Sequence, residues 1–400
     1  MSRPRLALSR AALPLAVLTL SLLGTFASAA PLKIASVSPL SGGLIGSGTE
    51  LKRGVELSVE SHLQEFKALG YELSLVSFDD QGSPVAAKPL AQTIASDSSI
   101  LGVVGAYNSS VSNVLGEAFA PSKLAIVTIS TNDKLTKNGW LNFNRVVAPD
   151  GAQSVAAASA LIERQPGSIY VISDNTTYGN GLTKSLVQRL SGSSVKVAWY
   201  GGVSSDSEIA RVVQRAKVSG VGTVYFGGTD DVGGRLVNAF SAAKLKIGVM
   251  GSDGIDSPNF IRQVSGRAAN ISYTTVFGPL SLFSNSGDFS ARYQERYKTP
   301  ASGVAAYAYD ATEALLGGLR AAVISAKGVP SRVQVSSAVR NVSLPACFDV
   351  EKSACKTISG AISFSGTGER QKSTVLVMKY DDMLQTKMTK IAAVNASDLK

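Results

Sequence analysis

Cysteine and histidine are scarce in this chain of 400 residues, which contains two cysteines and one histidine. A structural zinc site takes about four nitrogen or sulfur ligands, and His62 is far in sequence from Cys347 and Cys355. The sequence therefore argues against a metal centre. A Gly-x-Ser-x-Gly nucleophile motif is also missing. We place His62 on the polar side of a surface helix, where a solvated imidazole is expected rather than a general base, so a secreted hydrolase is disfavoured.

Long apolar runs are missing beyond the first thirty residues. There, three arginines precede an apolar stretch over 11–26, and the Ala-Ser-Ala segment at 27–29 matches a small-x-small cleavage site. This arrangement predicts a secretory signal peptide over residues 1–29. No later stretch reaches the roughly 18 apolar residues of a membrane span, and no cysteine near the cleavage point could carry a lipid. We expect a periplasmic or extracellular protein without a lipid anchor.

The two cysteines take on a different meaning in an exported chain. Cys347 and Cys355 are separated by seven residues. In an oxidising compartment, such a pair predicts a disulfide that closes a small surface loop. We expect this disulfide to be structural rather than redox-active.

Charge of one sign is not concentrated anywhere in the sequence. The formal net charge is +10, and removal of the predicted leader with its three arginines leaves +7. The remaining lysines and arginines are scattered, which predicts a solvated surface and no nucleic-acid partner. The glycine-rich stretches 46–48 and 226–231 lack the Lys-Ser/Thr of a phosphate loop. Asp79 and Asp80 lack the further carboxylates of a calcium loop. We expect no cofactor and no metal.

Alternating strands and helices occupy most of the chain. The strands are nearly continuous Val/Ile/Leu runs, and the helices show apolar spacing near 3.6 residues. Repeated βα units predict parallel sheets covered by helices. About 370 mature residues exceed one hydrophobic core, so two lobes are expected. The predicted strands are 32–37, 71–78, 100–105, 124–130, 168–173, 195–200, 223–227 and 246–250, and the helices are 50–67, 84–96, 111–120, 150–164, 179–190, 207–218 and 231–242.

The chain changes character after residue 270. A long Ala-rich helix is predicted over 303–326, and it has no partner in a simple tandem of two domains. We therefore expect it to return to the first lobe. This predicts two discontinuous Rossmann-like lobes, residues 30–148 with 277–358 and residues 149–276 with 359–400, hinged by three crossovers around a cleft. The other predicted elements are strands 271–277, 358–364 and 374–380 and helices 288–298 and 331–341.

The segment 168–182, SIYVISDNTTYGNGL, is the clearest indication of a binding site. An apolar strand ends in Asp-Asn, a polar loop follows, and Tyr178 opens a helical pattern. Open α/β sheets bind their ligands at the carboxyl ends of the strands. Tyr178 is therefore the first residue that we assign to a site.

Eight short segments recur in order along the chain. They are SPLSGG (38–43), SFDDQGSPVAA (77–87), GVVGAYNSSVS (102–112), KLAIVTISTNDKLT (123–136), NRVVAPDGAQ (144–153), the 168–182 segment, VMGSDGIDSPNF (249–260) and YAYDATEALL (307–316). In this order they resemble type I periplasmic solute-binding proteins of the leucine/isoleucine/valine (branched-chain amino-acid) family. Each match is short, but their ordered recurrence over about residues 33–380 is specific. The resemblance implies a type I periplasmic binding protein fold with two hinged Rossmann-like lobes.

The resemblance implies where the head group of an amino-acid ligand would lie. Ser109 matches a serine that contacts the ligand carboxylate, with a plain helix N-cap as the alternative. Ser130 and Thr131 match a pair that holds the head group, with a turn-forming cluster as the alternative. Asp253 matches the acidic residue, more often glutamate, that pairs with the ammonium group. Its alternative is a turn-forming aspartate before Gly254.

The resemblance also implies the walls of the pocket. Tyr178 matches the tyrosine that lies against the bound amino acid. Tyr309 matches a tyrosine of the long helix that faces the cleft, with a core position as the alternative. Ser47 and Thr229 stand where branched-chain amino-acid binders often carry aromatic residues, which implies a roomier or more polar pocket. Tyr107 is expected to refill part of that space.

The function implied by the resemblance is non-catalytic. A monomeric binding protein would capture an amino acid or a related small amide, close on it like a clamp, and deliver it to the permease of an ABC importer in the inner membrane. The alternative is a sensor with the same fold that docks a receptor instead of a permease. The sequence does not separate these two roles.

Overall fold

The computed structural model describes residue 1 and residues 29–264, 270–283, 285–346, 356–381 and 385–395. The predicted signal peptide lies almost wholly outside the described residues. Cys347 and Cys355, for which we predict a disulfide, also lie outside them.

The first lobe is built on a five-stranded parallel sheet with the strand order β2-β1-β3-β4-β5. Its central strands are buried along almost their whole length, which explains their continuous apolar sequence. The strands are β1 (Ala30–Ser38), β2 (Tyr71–Asp79), β3 (Ile100–Gly105), β4 (Ala125–Thr128) and β5 (Phe143–Arg145), and the helices between them are α1 (Ile45–Ala68), α2 (Pro84–Ser96) and α3 (Ser109–Phe119).

The second lobe is built on a seven-stranded sheet with the strand order β14-β13-β10-β9-β8-β6-β7. The five strands from β10 to β7 are parallel, whereas β13 and β14 are added antiparallel at one edge. The strands are β6 (Ser168–Ser173), β7 (Lys196–Gly202), β8 (Thr223–Gly227), β9 (Gly248–Gly251), β10 (Ile271–Thr275), β13 (Lys372–Tyr380) and β14 (Thr386–Asn395), and the helices are α4 (Asp150–Arg164), α5 (Thr177–Leu190), α6 (Asp206–Ser219), α7 (Asp230–Ala242) and α8 (Pro258–Val264).

The long Ala-rich helix packs against the first lobe. It contacts α1 and covers β3 and β4, and it is buried on almost every face. The contact with α1 is close: a Cβ added to Gly54 would lie 2.2 Å from the carbonyl oxygen of Ala305. The remaining elements are α9 (Ser286–Tyr297), this long helix α10 (Gly303–Ala326), α11 (Arg332–Arg340) and the antiparallel pair β11 (Ser343–Leu344) and β12 (Ile362–Ser363).

The predicted fold class, two α/β lobes with parallel-type sheets, is confirmed. Four of these elements were not predicted, namely the short strands β5 and β11, helix α8 and the edge strand β14. The division at residues 30–148 with 277–358 and 149–276 with 359–400 stays a prediction, and so does the hinge. Within the described ranges, no helix has the length and apolar character that a bilayer span requires.

The expectation that the side chain of His62 is solvated is wrong. The residue is only 7% exposed because α10 covers that face of α1. Its Nδ1 lies 2.6 Å from an oxygen of Glu65, and its Nε2 lies 2.9 Å from Oε2 of Glu313 on α10. His62 therefore joins two helices of the first lobe.

We expect this cluster to make stability depend on pH. Burial opposes the charge on the imidazole, but the contacts with Glu313 and Glu65 outweigh it and raise the pKa of His62. A raised folded-state pKa gives stabilisation that is complete below the unfolded pKa, about 6.5, and is lost as pH rises through the folded pKa. His62→Gln should therefore destabilise the protein more at pH 6 than at pH 9.

Urea unfolding of both proteins over this pH range gives the difference directly. Glu50 and Asp80, whose pKa values burial raises to about 7, are present in both proteins, so their contribution cancels. A difference in unfolding free energy that is constant with pH would show that His62 is not charged in the folded state.

Candidate functional site

A cavity lies where the carboxyl ends of strands from both sheets meet. It holds about 400 Å³ of space outside the protein atoms, part of which is open to solvent. Its lining residues follow β3, β4, β6, β8, β9 and β10, the ends at which open α/β sheets bind ligands. The lining residues are Tyr107, Asn108, Ser109, Ser110, Ile129, Thr131, Thr176, Tyr178, Thr229, Asp253, Gly254 and Phe277.

Five of the eight residues assigned from sequence line this cavity: Ser109, Thr131, Tyr178, Thr229 and Asp253. They follow five different strands and come from both lobes. The fold thus brings together residues that are up to 144 positions apart in sequence, between Ser109 and Asp253. Their part in binding a ligand stays a proposal.

The other three residues do not line the cavity. Ser130 is buried behind it, and its hydroxyl donates toward the carbonyl oxygens of Ala106 and Tyr107, each at 3.0 Å. Ser47 lines a neighbouring groove instead. Tyr309 packs edge-on against Phe289 with ring centroids 5.4 Å apart, in an apolar cluster of its own. Its surroundings fit the core position that was the alternative.

One end of the cavity is suited to an anion. Helix α3 begins there, and the side chain of its N-cap residue Asn108 makes no capping hydrogen bond. The first N–H groups of a helix have no partner within the helix, and the helix dipole favours negative charge beside them. The hydroxyl groups of Ser109, Ser110 and Thr131 belong to residues on the same wall. This end therefore offers donors to a carboxylate.

The opposite wall carries a buried carboxyl group. Asp253 is 4% exposed, and its Oδ1 accepts hydrogen bonds from the Tyr178 hydroxyl at 2.5 Å and from Nε2 of Gln153 at 2.8 Å. Burial raises the pKa of Asp253 to about 6, although the hydrogen bonds from Tyr178 and Gln153 act in the opposite direction. At neutral pH the group is ionised and suited to a cation.

Tyr178 is held by three groups of the second lobe. Its hydroxyl lies 2.6 Å from Oγ of Ser252 and 2.5 Å from Oδ1 of Asp253, and it accepts from the N–H of Gly254 at 3.1 Å. Burial and the neighbouring carboxyl groups raise its pKa, so the phenol stays protonated. Tyr178 therefore fixes the orientation of Asp253.

Aromatic rings form the apolar part of the wall. Tyr107 and Phe277 are stacked with ring centroids 6.4 Å apart, and Tyr307 of α10 meets Phe277 edge-on at 5.9 Å. The sequence analysis missed Phe277. A signal was present, because Phe277 follows a strand end just as the other lining residues do.

A buried ion pair supports the loop that carries Thr131. Arg145 is fully buried, and its Nε donates to Oε1 of Glu369 at 2.9 Å. Its Nη1 donates to the carbonyl oxygen of Asn132 at 2.7 Å, one residue after Thr131. The end of β5 thereby fixes the loop that follows β4.

Comparison with known proteins agrees with this architecture. The sequence profile of the family described as periplasmic binding protein matches residues 31–383, and the chain belongs to that family. It is 25% identical to Leu/Ile/Val-binding protein homolog 2 of Brucella abortus over 353 residues, which is 86% of this chain and 88% of the relative. The resemblance to the leucine/isoleucine/valine-binding family is thereby confirmed.

Solved structures share the fold at lower sequence identity. The leucine-binding protein LivK of Thermotoga maritima superimposes with a TM-score of 0.78 and 22% identity, covering 92% of this chain and 99% of that one. A solute-binding protein of an ABC transporter from R. palustris, in complex with benzoate, gives a TM-score of 0.76 and 18% identity, covering 91% and 98%. One fold thus accommodates different ligands, and the ligand has to be argued from this cavity.

Proposed function

We propose that this protein is the extracytoplasmic binding component of an ABC importer and that its ligand is an α-amino acid. The proposal rests on one observation: the N-terminus of helix α3, which offers several hydrogen-bond donors, and the buried carboxyl group of Asp253 line the same cavity. An α-amino acid presents one carboxylate and one ammonium group, which need these two partners. The Leu/Ile/Val-binding name of the Brucella relative supports the same class.

A simple aromatic acid such as benzoate is the second candidate, because Tyr107 and Phe277 provide stacked rings and a related fold binds benzoate. Asp253 argues against it. A ligand with no cation would leave a desolvated carboxylate without a counter-charge beside it, which is unfavourable. The amino acid is therefore the better match to the whole cavity.

The contacts between the lobes support a clamp mechanism. The loop after β4 carries Asn132, whose side-chain amide donates to the carbonyl oxygen of Thr177 on α5 at 2.9 Å. This bond lies next to Tyr178. A ligand that touches both walls binds the closed arrangement better than an open one, and thereby shifts the population toward closure. A permease that recognises the surface of the closed protein would thereby distinguish ligand-bound from empty protein. A monomer is sufficient for this role.

A ligand panel tests the proposal. Residues 30–400 would be produced, unfolded and refolded to remove carried ligand, and heated with each of the common amino acids, with benzoate and with small amides. At least one amino acid should raise the melting temperature. At about a thousandfold excess over Kd, the stabilisation is roughly 4 kcal/mol.

The matched controls are derivatives of the amino acid that binds. Its N-acetyl form lacks the cation, and its methyl ester lacks the anion, so neither should stabilise the protein. If benzoate raises the melting temperature and every amino acid fails, the amino-acid assignment is wrong.

A further inference from the structure

A second space lies near the cavity, because its lining residue Asp230 directly follows Thr229 of the cavity wall. It is a groove with about 900 Å³ of space outside the protein atoms, part of it open to solvent, and it is lined by the beginning of α1 from one lobe and by residues 256–259 and Arg262 from the other. We call it the Asp230 groove. Ser47, which the sequence analysis placed at the ligand, lines this groove. Ser47 therefore belongs to the wall of the groove, whereas Thr229 belongs to the wall of the cavity.

Asp230 is the unusual residue of this groove. It is the first residue of α7, directly after Thr229 of the cavity wall, and it is only 3% exposed. Its Oδ2 accepts from the hydroxyl of Ser257 at 2.5 Å and from Nδ2 of Asn259 at 3.3 Å. Its Oδ1 is buried and has no hydrogen-bond partner among the residues that the structure describes. A buried carboxylate oxygen without a donor is unfavourable unless something else supplies one.

The charge on Asp230 acts on Tyr107, a residue of the cavity wall. Burial and then the charge on Asp230 raise the pKa of the Tyr107 hydroxyl, which also interacts with the side chain of Ser47. Burial likewise raises the pKa of Asp230 itself, because the donors Ser257 and Asn259 offset only part of the desolvation. A cation brought to Oδ1 would therefore favour the ionised form of Asp230.

Two other charged groups of the groove are already engaged. Asp256 accepts hydrogen bonds from Tyr273 at 3.0 Å and from Thr275 at 2.7 Å. Arg53 lies over the ring of Tyr297 at 4.9 Å and donates to Thr299 at 3.2 Å. The remaining charged residues that line the groove are Glu50 and Arg262.

We propose that Asp230 recognises the side chain of the ligand, and that the ligand is an α-amino acid whose side chain ends in a positively charged N–H donor. The inference rests on the proposed function. With the head group held between α3 and Asp253, a side chain directed past Thr229 and Ser47 reaches the unpartnered Oδ1. A charged N–H donor supplies the missing hydrogen bond and a positive charge beside the carboxylate.

Calorimetric titration with isosteric ligand pairs tests the proposal. Lysine is compared with norleucine, which lacks the terminal amine, and arginine with citrulline, which lacks the charge. In the wild-type protein the cationic member of at least one pair should bind at least about 30-fold more tightly. Asp230→Asn keeps the shape of the side chain. It should reduce that ratio to less than about threefold while leaving the affinity for norleucine unchanged.

Asp231→Asn is the matched control. Asp231 is the next residue of the same helix, but its side chain is 57% exposed and faces Arg235 at 3.8 Å. This variant should keep the wild-type preference. Melting temperatures of both variants show whether each is folded.

The possible failures are distinguishable. Equal affinity for lysine and norleucine and for arginine and citrulline in the wild-type protein, or an unchanged ratio in Asp230→Asn, overturns the role of Asp230 and leaves the amino-acid function standing. Tighter binding of citrulline than of arginine overturns the charge requirement. Failure of every α-amino acid to bind overturns the proposed function and this inference together.

Discussion

Asp253→Asn should strongly weaken amino-acid binding and at the same time stabilise the empty protein. The asparagine Oδ1 can keep both hydrogen bonds that Asp253 receives, from Tyr178 at 2.5 Å and from Gln153 at 2.8 Å. Its amide nitrogen replaces the oxygen that we assign to the ligand ammonium group. Loss of one partner of a buried charge pair weakens binding by about 2–5 kcal/mol, which is at least about 30-fold in Kd.

The stabilisation follows from the sign of the pKa shift. The pKa of Asp253 rises from 3.8 to about 6 on folding, with burial as the main cause. The folded state therefore binds the proton more strongly than the unfolded state, and stability falls as pH rises from about 4 to about 6. A shift of this size corresponds to about 3 kcal/mol. Asparagine does not titrate, so its unfolding free energy at pH 7.5 should exceed that of the wild-type protein by up to about 3 kcal/mol.

The affinity of the wild-type protein should also depend on pH. Below about pH 6 the Asp253 carboxyl is protonated in the empty protein, and the proton has to leave before the ammonium group binds. The Kd should therefore rise by up to about tenfold for each pH unit below 6. Calorimetric titration between pH 5 and 8, together with urea unfolding without ligand, measures both effects.

Asp310→Asn is a matched control for this experiment. Burial raises the pKa of Asp310 to about 6 as well, but both of its oxygens accept backbone N–H groups, from Ile358 at 2.7 Å and from Ser359 at 2.8 Å. Asparagine cannot accept at both positions, so this variant should be destabilised and should bind ligand normally. Unchanged affinity in Asp253→Asn would remove the ammonium role from Asp253.

The secondary structure could be predicted wherever burial made the sequence pattern simple. The helix Gly303–Ala326 has the bounds predicted from its Ala-rich sequence, and strands buried on both faces appear as continuous apolar runs. The edge strand Thr386–Asn395 could not be found in this way. Its exposed positions carry Met388 and Ile391 as well as lysine and threonine, and its half-buried positions include Lys390. Nothing in that pattern distinguishes an edge strand from a polar loop.

The site could be predicted only to the level of strand ends. A resemblance by position shows which loop a residue belongs to, whereas side-chain direction depends on packing. Tyr309 illustrates the limit. Its helix is buried on almost all sides, so periodicity does not show which face is turned toward the cleft. Ser130 is the second case, because the pattern could not show that its hydroxyl turns back toward the carbonyl oxygens of Ala106 and Tyr107.

The burial of polar and charged side chains was the feature least predictable from the sequence. From sequence alone, His62 and Arg145 would be expected at the surface, because polar and charged side chains are usually exposed. Both are buried, and in each case the partner comes from a segment more than two hundred residues away, Glu313 and Glu369 respectively. Only the folded chain brings such partners together.

Arg145→Met should destabilise the protein more than any surface substitution. Methionine fills much of the same volume, but Glu369 loses the hydrogen bond to Nε at 2.9 Å, and the carbonyl oxygen of Asn132 loses its donor at 2.7 Å. Removing one partner of a buried ion pair costs about 3–5 kcal/mol, because the other charge remains desolvated. Urea unfolding at pH 7.5 measures the loss. Arg235→Met is the matched control, since Arg235 pairs with Asp206 at 2.7 Å at an exposed site and should cost less than about 1 kcal/mol.

A double substitution separates stability from binding. Arg145→Met combined with Glu369→Leu removes both charges, so much of the lost stability should return, as it does where buried ion pairs are replaced by apolar residues. Ligand affinity should be reduced in both the single and the double variant, because the carbonyl oxygen of Asn132 lacks the donor that fixes the loop carrying Thr131. If the double variant binds ligand with wild-type affinity, Arg145 only balances the charge of Glu369. If Arg145→Met unfolds within about 1 kcal/mol of the wild-type protein, the ion pair does not hold this end of the first lobe.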